Sequence, residues 1–142
     1  MTEPTGWADV DDEPTTGAVD EETPQLYYPS LPDFVEEFFL PMFRRDVTNI
    51  AGLTWCAHWW LHPEATYRLE SLWRSWEHLR LDAALGSSAW LREHADHHLP
   101  ILMSDAGPFK GCSITNGHQD RDYKLPAEPP PDGLYPDENV PN

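Results

Sequence analysis

The stretch Pro63–Leu81, PEATYRLESLWRSWEHLRL, carries the strongest periodic signal in the chain. At 100° per residue Ala65, Leu69, Leu72, Trp76 and Leu79 fall on one stripe, with Trp73 at its edge. Proline at the first position suits a helix start, because its missing N–H has no partner there anyway. Glu64–Arg68 and Glu70–Arg74 stand four apart, acid first, and read as solvated pairs on the far side. The stretch predicts an amphipathic helix burying an aromatic face.

Working outward, Ser30 before Leu31, Pro32 and Asp33 predicts an N-cap. Phe34, Phe38 and Met42, with Val35, Phe39 and Phe43, then form a double stripe at spacing four, and Pro41 predicts a kink or break. Residues 46–53 read as a connector. A short helix is expected over about Thr54–His62, and another from a Ser87 or Ser88 cap to about Met103. On that last helix Leu91, Ala95, His98 and Leu102 share the central line, and Pro100 should bend it or end it early. Asp105–Phe109 is a turn returning Phe109 to the core. Nothing shows sustained period-two alternation, so the expected class is all-α: about four helices around an aromatic-rich core.

Charge and proline set the boundaries. The 142 residues carry 9 Lys+Arg against 25 Asp+Glu, a formal charge of −16. Residues 1–25 hold eight acids and no base, and are expected to be a disordered acidic arm. Residues 119–142 hold six prolines and six acids, and read as a disordered tail with polyproline character. Residues 26–118 keep 14 of the 17 aromatics, enough for one helical domain. The negative charge argues against direct nucleic-acid binding and against docking on an anionic membrane. No signal segment or membrane-length apolar run is visible, which predicts a cytoplasmic protein with free thiols.

Several runs together resemble a known family: Trp55-Cys56 with Trp59-Trp60, then Arg68-Leu69-Glu70, Leu72-Trp73-Arg74 and Trp76-Glu77, then His94-Ala95-Asp96 with His98, and Gly107-Pro108-Phe109. They are similar to an actinobacterial family catalogued as domain of unknown function 4913, over roughly residues 27–112. The resemblance implies a small soluble protein of plasmids, phages or conjugative elements. It implies no activity and no catalytic residue. The apolar Ile50–Leu53 stretch and Pro100 depart from the family's pattern.

Chemistry-bearing residues each have a bland use beside a sharper one. His58 and His62 are four apart on one expected helix, His94 and His98 on another, and such pairs point imidazoles to one side. Cys56 stands near the first pair, Cys112 and His118 beyond the second. These residues offer a transition metal, the one cofactor the sequence suggests. Packing on the apolar stripe is the commoner use of such histidines, and neither HExxH nor CxxC occurs. Cys56 falls on the buried face, which raises a thiol's pKa and argues against a nucleophile. Trp60 and Tyr67 fall off the buried stripes and are the aromatics best placed to touch a partner.

The leading expectation is therefore a non-enzymatic interaction or accessory protein, its acidic arm steering a basic protein partner towards Trp60 and Tyr67. A zinc-like metal-binding domain, catalytic or structural, using His94 and His98 with His58, His62 or Cys56 is the alternative. An acidic DNA mimic ranks third, because most of the excess charge sits in the tails.

Overall fold

The structure is a computed structural model, and it describes residues 25–48, 52–120 and 124–141. The acidic arm expected over 1–25 lies, but for Gln25, outside the described residues. Three helical runs make up the body. In α1, Leu31–Phe34, a π-helical turn Val35–Phe39 and Leu40–Met42 follow without interruption. Helix α2 is Pro63–Leu79. In α3, Gly86–Trp90, a π-helical turn Leu91–Ala95 and Asp96–Leu102 are again continuous. Among the described residues β pairing is limited to two isolated bridges, Leu53 with Ser104 and Ser113 with Gly117. The protein is thus helical with almost no strand.

Two local expectations change. The helix expected over 54–62 is only a 3-10 turn, Trp59–Leu61. Thr54 is drawn away from helix geometry because its N–H donates to the Met103 carbonyl at 2.8 Å and its hydroxyl to that of Ser104 at 3.1 Å. Pro63 then holds His62 in extended backbone, φ −108° and ψ 110°, which ends the turn. Helix α3 begins at Gly86 rather than at a serine cap. A Cβ on Gly86 would lie 1.9 Å from the Leu79 carbonyl oxygen, so only glycine lets the chain reverse this tightly against the end of α2.

Pro41 and Pro100 do not break their helices. Each is preceded by a π turn, closed by Leu40 N–H to Val35 O in α1 and by Asp96 N–H to Leu91 O in α3. The Ser30 cap forms as expected, its Oγ accepting the Asp33 N–H at 3.3 Å.

The core lies where the three helices meet. Phe34, Val35, Phe39, Leu69, Leu72, Trp73, Trp90, Leu99, Leu102 and Phe109 are buried. Trp90 donates its indole N–H to the Leu72 carbonyl at 3.1 Å, and Trp73 to the Tyr28 carbonyl at 3.1 Å, so the large rings are buried without an orphaned donor. Phe34, Phe38, Tyr28 and Trp76 form one ring cluster with centroids 5.0–6.1 Å apart.

Glu77 is buried too, and it ties the entering chain to α2. Its carboxylate accepts the N–H of Tyr27 at 2.9 Å, the N–H of Tyr28 at 2.8 Å and Nε of Arg80 at 3.0 Å. Burial works to raise its pKa, but the two amides and Arg80 outweigh it and hold the carboxyl below its ordinary range. Three donors converging on Glu77 are what permit its burial.

Residues 124–141 carry turns but no helix or strand, and all are exposed. Among the described residues no helix is long and apolar enough to cross a membrane.

Candidate metal centre

Two short segments meet at one end of the helical body. The first, Cys56 to His62, runs from the Thr54 anchor through the 3-10 turn to the residue that caps α2. The second, Cys112 to His118, follows the buried Phe109, whose carbonyl accepts the Cys112 N–H at 2.9 Å. Ser113 and Gly117 exchange backbone hydrogen bonds at 3.2 and 2.8 Å, and Asn116 N–H donates to Ser113 Oγ at 2.8 Å. Gly117 takes φ +73°, a conformation costly for any residue with a Cβ. This tight turn swings His118 back beside Cys112.

Four ligand-type atoms converge as a result. One atom each from Cys56, His62, Cys112 and His118 lies within 4.8 Å of all the others. Cys56 Sγ is 3.2 Å from His118 Nδ1, Cys112 Sγ is 3.6 Å from His62 Nε2, and Cys112 Sγ is 3.9 Å from His118 Nδ1. A tetrahedron with Zn–S of about 2.3 Å and Zn–N of about 2.05 Å has edges of roughly 3.3–3.8 Å. The measured spacings bracket that range.

The surroundings suit a cation with thiolate ligands. Both cysteines are buried and free. Burial, with Cys112 alongside, pushes the Cys56 thiol up to about 11, while the His58 N–H aimed at its sulfur works the other way. A bound divalent ion reverses that balance and keeps the sulfur deprotonated. The Gln119 N–H donates to Cys112 Sγ at 3.3 Å, so each sulfur has a backbone amide directed at it. His62 is held below its ordinary pKa, first by burial and then by His118, and stays neutral with a lone pair to offer. The Pro108 carbonyl accepts a hydrogen bond from its ring, the kind of outer contact that orients a ligating imidazole.

Of the residues that spacing offers as ligands, Cys56 and His62 are in this cluster. His58 is exposed at its margin, its ring 5.8 Å from that of His118. His94 and His98 lie on α3 and are not among the cluster's four ligands. There His98 Nδ1 faces Arg68 Nη1 at 2.9 Å, and burial and then Arg68 hold its pKa down. That nitrogen is an acceptor already engaged by a guanidinium. Cys112 and His118 carry half of the cluster, and the signal for them is a repeat: Cys-x5-His occurs twice, at Cys56/His62 and Cys112/His118. Gln119, on the tail side of the expected boundary, contributes an amide to the site.

The first segment also exposes an aromatic. Trp59 turns inward, 8% exposed, while Trp60 and Leu61 turn outward at 54% and 53%. Tyr67 on α2 is 77% exposed.

The family model described as a domain of unknown function (DUF4913) matches residues 28–131, well over half of the chain, and the chain belongs to that family. The match includes all four residues of the cluster. No curated protein and no solved structure matches it.

Proposed function

We propose that this DUF4913 chain is a non-enzymatic metal-binding domain in which a zinc-class ion, held by Cys56, His62, Cys112 and His118, fixes a surface for a protein partner. The observation that carries the reading is the convergence of four ligand atoms of Cys2His2 type within 4.8 Å. Two thiolates neutralise a divalent charge, which suits a buried site with no other counter-ion among its ligands. Thiolate and imidazole in tetrahedral array favour zinc over hard cations such as magnesium or calcium. Four protein ligands leave no open position for substrate, so the role is structural rather than catalytic.

The partner surface follows from the same segment. Cys56 and His62 bracket Trp60 and Leu61, so an ion fixing both ends of the segment fixes the outward aromatic. The −16 formal charge favours a basic protein as the partner. An accessory role on an actinobacterial plasmid, phage or conjugative element rests on the family resemblance.

Elemental analysis with native mass spectrometry tests the metal. The purified chain should carry one zinc per molecule, and alanine at any of the four ligands should remove or greatly weaken it. Zinc below about a tenth of an equivalent, in protein never exposed to chelator, contradicts the reading. Trp60→Ala should leave zinc content and stability unchanged while weakening partner capture.

A further inference from the structure

We propose that Cys56 and Cys112 are also an oxidation site: a hydroperoxide joins them in a disulfide, and the ion leaves. The inference rests on the metal reading and adds a chemistry to the same site. The two sulfurs come from segments more than fifty residues apart in sequence, yet lie no more than 4.8 Å from each other. A disulfide needs about 2.05 Å between them, and we assign the closing movement to Cys112. It stands in a loop bordered by Gly111 and Gly117, at φ +90° and +73°, whereas Cys56 sits between the Thr54 anchor and α2. The chain has two cysteines in all, so this is the one intramolecular pairing available.

A small oxidant also has approaches. A cavity of about 520 Å³ lined by His62, Lys110, Gln119 and Asp120 adjoins one side of the cluster. Another of about 240 Å³ is lined by Trp55, His58, Ile114 and His118. Each is thus walled by one imidazole of the cluster, His62 in the first and His118 in the second.

The chemistry balances. One thiolate attacks a peroxide oxygen, the O–O bond breaks, and a sulfenic acid forms as hydroxide (or alkoxide) departs. The second thiolate attacks that sulfur, the S–S bond forms and a second hydroxide leaves. The sulfurs together lose two electrons, the peroxide gains them, and two protons from solvent complete two molecules of water when the oxidant is hydrogen peroxide. Two neutral imidazoles alone hold zinc too weakly to retain it, so the divalent ion is released. Reduction by a dithiol reverses the change and restores the ligand set.

The test uses the full-length chain with zinc bound, exposed to hydrogen peroxide. Zinc release is followed with a chromogenic chelator, and intact mass and free thiols are measured in parallel. The expected result is one zinc released per chain, loss of both free thiols and a mass lower by two hydrogens, all reversed by dithiothreitol and added zinc. Dimedone added with the peroxide should trap part of the sulfenic acid on the zinc-loaded chain, before the second thiolate closes the disulfide. Zinc retained while a reference thiol is consumed overturns the proposal and leaves the metal reading intact, as does release with sulfinic or sulfonic products and no disulfide. A chain carrying no zinc at the outset overturns both, so the two failures are distinguishable.

Discussion

Stripping the ion should cost a calculable amount of stability. The site ties together segments that are far apart in the chain: Cys112 meets His62 across 50 residues, and His118 meets Cys56 across 62. A cross-link closing a loop of that length removes unfolded-state entropy worth about 4 kcal/mol at 25 °C, on the relation used for disulfides and extended here to a metal clip. For a folded body of this size that corresponds to roughly 15–30 °C in Tm. Against a total stability of about 5–15 kcal/mol, this loss is between about a quarter and four-fifths of what holds the chain folded. The assay is urea unfolding followed by tryptophan fluorescence, at a buffered excess of free zinc and again after exhaustive chelation. With a slope of about 1–1.5 kcal/mol per molar urea, the midpoint should fall by about 3 M. A shift worth less than about 1 kcal/mol, with zinc shown to be gone, would refute the reasoning: the segments would then be held by packing alone.

Three further variants follow from the geometry. Glu77→Gln sets an amide N–H₂ against one of the backbone donors that the carboxylate accepts and removes the charge facing Arg80, costing about 2–3 kcal/mol in chemical denaturation. Because the Glu77 pKa is lowered in the folded chain, its stabilisation is complete above the ordinary value of 4.5 and is lost as pH falls through the lower folded value; acid unfolding left unaltered by Glu77→Gln contradicts this. Gly86→Ala forces the α2–α3 corner to shift, because the new methyl meets the Leu79 carbonyl, and should cost about 1–3 kcal/mol by thermal unfolding. The double replacement His94→Ala, His98→Ala should leave zinc stoichiometry unchanged, since His98 serves Arg68 and not the cluster; metal loss in that variant would show that the ligand set has been misread.

What the sequence made legible was the periodic part. The 63–81 stripe predicted α2 to within two residues, because a helix face repeats and Pro63 marks its start. The phenylalanine stripe and the Ser30 cap likewise found α1. The 54–62 segment misled for a physical reason: its apolar spacing imitates a helix, but Thr54 is captured by Met103 and Ser104, far off in sequence. Reading it as a helix favoured i, i+4 histidine pairs. The cluster instead pairs each histidine with a cysteine six residues before it, a spacing that suits two irregular turns. Cys112 and His118 sit in a loop with no periodicity at all, so helix projection had nothing to align. Glu77 was hidden because its partners, Tyr27 and Tyr28, arrive from some fifty residues upstream.

X-ray absorption at the zinc edge of the purified chain addresses the central claim most directly. Two sulfurs at about 2.3 Å and two nitrogens at about 2.0–2.1 Å around a four-coordinate ion are the predicted shell. An oxygen-rich or six-coordinate shell without sulfur would contradict it.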